Sequence, residues 1–455
     1  MKANIVIPNR DHQGYIKNMH LVGFHDLDNH RIFQMAMHRF GDKYYIYCAG
    51  RGCQVCPILD VTDPENIKMI KTFMPVDPVE NPDQSVGKIQ AADGLLITAL
   101  KAGNGAALAR GEYIEGRTFS GKSGIAIFDI KTDPENPRFL GYWDDGVHGT
   151  NGVHRFFYNG GRYVHLSCDC LGFEGMIYRI IDIIDPENPV EVGRWWLPEQ
   201  FADGYIGRKL DHNAPHSPEY MKKGWLHGPA FVRDDIAYCG YCGAGLVIVD
   251  VHDVKRPHLI GHLPLQPTFS SYYAGAKTHT ALPLPGRDLL VATNEGERFT
   301  WMSNEKLAGM PQALNNIHMI DISDPGNPTL IAEFPYPEVP ADFPYRNFNF
   351  MGLDSPGPFG PHNLHEPMDN KPWLEQRGDR VYCCYFHAGM RVYDVSDPYY
   401  IKEIAYYIPP KPVAERPKGM KGPVMGITED CIVDDRGNIF MDTYLDGVYV
   451  LRCDV

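Results

Sequence analysis

The apolar positions of this 455-residue chain fall in short runs rather than along helical faces. The clearest stretch is Trp225 to Leu263, WLHGPAFVRDDIAYCGYCGAGLVIVDVHDVKRPHLIGHL. Within it LHGPAFV, IAYCGY, LVIVDV and HLIGHL are of strand length and show no helical period. Turn residues separate them: Asp234-Asp235, then Gly243 and Gly245, then Arg256-Pro257. The stretch predicts one complete four-stranded antiparallel meander.

The unit recurs. Six times a strand-like run ends in Asp and enters an Asp-Pro or Pro turn, at Asp60, Asp129, Asp182, Asp250, Asp321 and Asp394. Asp in such a turn bonds its own backbone, and Pro ends the strand by removing an N–H. A short strand follows each turn, as in RFLGYWDD, VEVGRWWLP and HLIGHLPL. Hairpin turns number seven: Gly41-Asp42, Asp93-Gly94, Gly160-Gly161, Asp234-Asp235, Pro285-Gly286, Gly378-Asp379 and Arg436-Gly437. The last unit, 427–455, therefore lacks a fourth strand. NMHLVGFHDL at 18–27 matches HLIGHLPL and has no hairpin before it.

These counts predict an all-β chain folded as a seven-bladed β-propeller of four-stranded antiparallel blades, with the N-terminal strand closing the last blade. Closure removes exposed sheet edges. Residues 1–455 are expected to form a single propeller domain. Insertions at 74–90, 102–120, 198–224, 264–277, 295–313 and 334–375 should form a cap over one face, because insertions in repeats gather on one side.

Leu246 to Asp250 spells LVIVD, and the other five runs are variants of it. The chain resembles the LVIVD-repeat β-propeller proteins over nearly all its length. That resemblance implies the fold and leaves the chemistry to be argued from a site.

Composition narrows the partners. Net charge is −14 and no Lys/Arg-rich run appears, which disfavours nucleic acid and anionic membranes. No run approaches the length of a membrane span, and the N-terminus lacks a signal-peptide core, so a cytoplasmic protein is expected. The eleven cysteines are then expected to be reduced; Cys53 and Cys56 form a lone CxxC that fits a packed strand pair better than a redox or metal pair. No P-loop, helix-opening GxGxxG or GxSxG is present. Nothing in the sequence fixes the oligomeric state.

The nineteen histidines carry the candidate chemistry. His154, His227 and His279 stand six, seven and seven residues before their hairpin turns, so they occupy nearly one place in consecutive blades. Blade six offers His362, with His365 as an alternative. Blades one and seven have Gln34 and Glu429 at that place, and Gln90 is the polar candidate in blade two. The start of an innermost strand faces the propeller axis, so His154, His227, His279 and His362 are expected to hold one divalent metal there. Neutral imidazole suits iron, zinc or copper, and manganese is the remaining alternative. Histidines lining a watered channel are the plainer explanation for any one of them. Glu429, followed by Asp430, is expected to orient a ligand or act as a base. His387 ends the second strand of blade six and is a candidate acid or base. Arg155, Arg298 and Arg346 are candidates for a substrate carboxylate, His148, His212 and His216 for loop contacts. His252, His258 and His262 read as outer-turn or outer-strand residues.

The arrangement is similar to the carbon-cleaving dioxygenases of the carotenoid and stilbene type, which hold iron with four axial histidines on a seven-bladed propeller. Only fold and ligand type match; no sequence motif of theirs, or of the selenium-binding and methanethiol-oxidase propellers, is present. The resemblance implies Fe(II) and a mononuclear oxygenase acting on an aromatic or isoprenoid molecule in a capped apolar pocket. The alternatives are a zinc or manganese hydrolase or lyase on the same site, or a non-enzymatic scaffold.

Overall fold

The repeated turns all fold by the same bonds. The first Asp of each accepts from the N–H two residues on, at 2.8–3.0 Å: Asp60 from Thr62, Asp129 from Lys131, Asp182 from Ile184, Asp250 from His252, Asp321 from Ser323 and Asp394 from Ser396. The second Asp repeats the device at 2.9–3.1 Å. Each turn thus satisfies its own amides and releases the chain into the outer strand.

The computed structural model describes residues 5–50, 52–102, 121–147, 152–202, 224–265, 277–295, 316–345, 348, 359–413 and 426–455. Seven four-stranded antiparallel sheets result. Blade one is Ile32–Phe40, Lys43–Gly50, Cys56–Asp60 and Lys68–Phe73. Blade two is Gln84–Ala92, Leu95–Ala102, Gly124–Asp129 and Arg138–Asp144. Blades three and four run from Val153–Phe157 to Val190–Trp195 and from Ala230–Arg233 to His258–Leu263. Blade five runs from Lys277–Pro283 to Thr329–Glu333.

The N-terminus closes the ring as the repeat count requires. Met19–His25 pairs with Gly447–Cys453, outside Ile439–Thr443 and Thr428–Val433, to complete blade seven. Its register breaks between Leu21 and Gly23, and every other outer strand breaks its register at the matching place. Tyr15–Lys17 adds a pairing the sequence did not announce, against Lys402–Ile408 of blade six.

Blade six departs from the pattern at its inner edge. Its named strands beyond Tyr15–Lys17 are Arg380–Cys384, Met390–Asp394 and Lys402–Ile408. The axial segment makes only isolated bridges, Phe359 to Phe386 and Leu364 to Cys383. Pro361 and Pro367 bracket it and withhold amide donors, so a long ladder does not form. A second difference lies at 74–90: Gln84–Ala92 is the inner strand of blade two, so only the part before it is an insertion.

Apolar side chains fill the spaces between blades. Tyr178, Ile180, Leu226, Cys239, Val247 and Val249 pack blade three on blade four. All eleven cysteines are free thiols. Most of the expected cap lies outside the described residues, as do His148, His212, His216, Arg298 and Arg346. No helix among the described residues is long and apolar enough to cross a membrane.

Candidate metal centre

One irregularity, repeated around the ring, aims the candidate residues. The ladder between first and second strands breaks between Ile32 and Gln34, Val86 and Lys88, Val153 and Arg155, Thr278 and Thr280, and Thr428 and Cys431. The residues that the ladder register skips are Phe33, Gly87, His154, His279 and the Glu429-Asp430 pair. In blade four Gly240 O accepts from both His227 N (3.0 Å) and Gly228 N (3.4 Å), which gives His227 a similar place. A bulge takes one side chain out of the alternation between the sheet faces. Repeated in a ring, it turns that side chain to the axis.

The four histidines meet there. Ring centroids are 4.5 Å apart for His154 and His227, 4.3 Å for His227 and His279, and 4.9 Å for His279 and His362. His154 Nε2 lies 3.2 Å from His227 Nε2. Glu295, the last residue of the second strand of blade five, reaches the same point. Its Oε2 is 3.4 Å from His227 Nε2 and its Oε1 4.0 Å from His362 Nε2. Ligand atoms of His227, His279 and Glu295 all lie within 4.8 Å of one another.

The outer ring nitrogens fix the tautomers. His362 Nδ1 donates to Glu429 O at 2.7 Å, with Glu429 Oε2 at 3.3 Å, and this leaves the lone pair on Nε2. Such second bonds orient metal ligands in general. His279 Nδ1 accepts from Arg155 at 3.1 Å, since a guanidinium only donates, and from the Thr280 hydroxyl at 2.7 Å, while Arg155 also donates to that hydroxyl at 3.1 Å. The neutral His279 ring then carries its N–H on Nε2, the opposite tautomer to His362. His154 matches His279: Lys101 Nζ donates to its Nδ1 at 2.9 Å, which puts its own N–H on Nε2, toward His227. Burial, then Lys101 and His227, hold His154 well below the usual histidine range. Burial, then His227 and Arg155, do the same for His279. Both rings are neutral at pH 7.

Other expected residues lie elsewhere. His365 accepts from Val433 N at 3.1 Å and donates to Glu375 O at 3.0 Å, so both nitrogens tie blade six to its surroundings and His362 alone of the two faces the cluster. Gln34 accepts from Ile89 N at 3.2 Å, and Gln90 from Tyr158 N at 2.7 Å, each stitching one blade to the next. Asp430 does the same, accepting from Met35 N at 2.9 Å. Gln34, Gln90 and Asp430 line a cavity of about 40 Å³ with Glu366 and Lys371. Burial raises Asp430 to about 7 and lowers Lys371 to about 8. Phe33 takes the axial place expected of Gln34, its ring 5.9 Å from His362. His387 packs 5.8 and 6.0 Å from Phe348 and Phe359, and its neighbour Phe386 stacks on His362 at 4.7 Å. Arg155 is buried and bonded to Glu366 at 3.0 Å, so its charge is engaged within the protein. His252 is exposed on an outer turn.

Sequence reasoning missed Glu295, Lys101 and Lys88. A signal existed for Glu295, which ends a second strand as His387 nearly does; such ends return to the face where the inner strand begins.

Comparison with known proteins bears on the fold. The LVIVD repeat model matches residues 231–263 and 313–334. No curated protein matches the chain. Among solved structures, a protein from Lactobacillus plantarum is similar at 11% identity and a TM-score of 0.50, covering 88% of this chain and 95% of that one. A periplasmic gluconolactonase of Pseudomonas aeruginosa gives 11% and 0.46, with 96% and 99% covered. A hypothetical selenium-binding protein of Sulfolobus tokodaii gives 14% and 0.46, with 90% and 93% covered. The Lactobacillus plantarum likeness concerns the fold alone, and the LVIVD match is confined to those two stretches of the chain.

Proposed function

We propose that this propeller is a metal-dependent enzyme whose centre is held by His227, His362 and Glu295, with His154 and His279 beside them. The observation that carries the reading is the convergence of four imidazoles from blades three to six, three of them buried and His154 half-buried, with one carboxylate. The Nε2–H of His154 faces His227 Nε2 at 3.2 Å, so in this tautomer His154 neighbours the centre and is not one of its ligands. The same holds for His279 in its matching tautomer. Imidazoles with one carboxylate suit Fe(II), Zn(II) or Mn(II). A divalent ion there supplies a Lewis acid, and iron supplies a redox centre as well.

The leading chemistry is that of an iron-dependent oxygenase on an aromatic or other flat apolar molecule. Phe33, Phe386 and Trp225, whose ring lies 5.4 Å from His227, give the site flat apolar walls. A zinc or manganese hydrolase or lyase is the second reading, because imidazoles with one carboxylate suit those ions equally and that chemistry needs only a Lewis acid. Elemental analysis of protein purified without a metal-binding tag tests the centre, with about one metal per chain expected. Oxygen uptake by the iron-loaded protein then separates the two chemistries. Absence of stoichiometric metal in replete protein leaves the scaffold reading in place of both.

A further inference from the structure

Lys88 is 2% exposed, yet among the described residues no hydrogen bond or ion pair reaches its ammonium. Nζ lies 3.8 Å from the centroid of the Phe33 ring, and Phe33 in turn neighbours His362. Burial, then Arg155, holds Lys88 well below the usual lysine range; Asp430 and Glu429 favour its charge from a distance without bonding it, and a ring face offsets little of the cost. Arg155 cannot relieve it, being a cation itself and tied to Glu366 and Thr280. The bulge beside Lys88 is Gly87, whose missing side chain makes room: a Cβ there would lie 3.1 Å from Lys101 Cε. Lys101 passes through that space to His154 Nδ1. His154 consequently turns an N–H inward.

The axial site therefore has two sides. Blades four and six present the lone pairs of His227 and His362, and blade five the Glu295 carboxylate. Blades two and three present the Lys88 ammonium and the His154 Nε2–H. Apolar rings stand between them.

We infer that the blade-two side is an anion pocket in which Lys88 pairs with the carboxylate of a flat, apolar acid. A single ammonium with aromatic walls fits a monoanion; a phosphate dianion calls for several converging donors. The inference rests on the axial site described under the proposed function, and it names the substrate class of that site. It does not require the metal.

The probes are sodium benzoate and benzamide, alike in shape and different in charge. Calorimetric titration of the full chain at pH 7 should show benzoate binding at least about ten-fold tighter, as charge-assisted bonds exceed neutral ones. Lys88→Met fills the same volume without charge and should reduce the preference below about two-fold. Lys88→Arg should keep it, and Lys88→Gln serves as a second neutral variant. Equal affinity for the two probes in wild type, or none for either, overturns the inference. So does a benzoate preference that survives in a neutral variant with a cooperative thermal transition. Metal content is measured in the same samples. A Lys88-dependent preference in protein holding no metal supports the pocket while removing the metal reading.

Discussion

His362 donates from Nδ1 to the backbone carbonyl of Glu429, 2.7 Å away across the boundary between blades six and seven. That bond sets which nitrogen of His362 faces Glu295. The site thus depends on how neighbouring blades are held, as well as on the side chains that line it.

Removal of one inner imidazole should empty the centre and leave the ring folded, because the blades are packed by apolar residues elsewhere. His227→Ala is expected to lose stoichiometric metal with little change in melting temperature. Glu295→Gln should weaken metal binding by about 10–100-fold. His252→Ala, on an exposed turn, should change neither. Elemental analysis beside thermal melts is the check. Full metal content in His227→Ala would sink the ligand assignment.

Closure makes a separate prediction. Met19, Leu21 and Val22 are buried in blade seven, and burying them contributes on the order of 5 kcal/mol. Deleting residues 1–30 also bares the edge of Gly447–Cys453. The truncated chain should melt well below the full one or aggregate. An unchanged melting temperature would show that the strand does not close the ring.

The blade count and the closing strand were legible because each blade repeats a local grammar: a hairpin, a run ending in Asp, a turn that bonds itself. Those signals act within a few residues. The convergence of His154, His227, His279 and His362 was legible for the same reason, as one place in one repeat. Gln34 shows where that reasoning slips. Counting from the hairpin assigns it to the axis, but a bulge shifts the alternation by one residue and sets Phe33 there instead. Glu295, Lys101 and Lys88 escaped because they come from other strands or other levels of the blade, and their roles depend on contacts between blades that no local pattern encodes.

One such contact tests the packing of the turns. Gly23, Gly141, Gly193 and Gly261 hold equivalent places in outer strands, and each receives a carbonyl from the next blade's Asp turn. A Cβ on Gly193 would lie 1.7 Å from Val254 O. Blade seven has no such turn, and the matching residue of blade six is Ala405. Gly193→Ala should destabilise the protein by about 1–3 kcal/mol, the range for overpacking. Ala405→Gly should cost less, about 0.5–1 kcal/mol from backbone entropy. Denaturant midpoints of the two variants give the comparison, and equal losses would remove the steric argument.

His38 offers a pH test that stands apart from the axial site. It is buried against Trp373, ring centroids 5.7 Å apart, and among the described residues neither ring nitrogen has a hydrogen-bond partner. Burial lowers its pKa to about 4. Unfolded, the ring titrates near 6.5. Between those values the unfolded chain binds a proton that the folded chain refuses. Stability from this group is therefore full above pH 6.5 and falls as the pH drops toward 4, at about 1.4 kcal/mol per unit. Several buried carboxyls, Asp430 among them, are raised and act in the opposite sense, so the total profile does not isolate His38. The difference between wild type and His38→Phe does. The variant should gain about 2 kcal/mol on wild type between pH 6.5 and pH 5, read from denaturant unfolding at both. A constant difference across that interval would mean that His38 titrates alike in the folded and unfolded states.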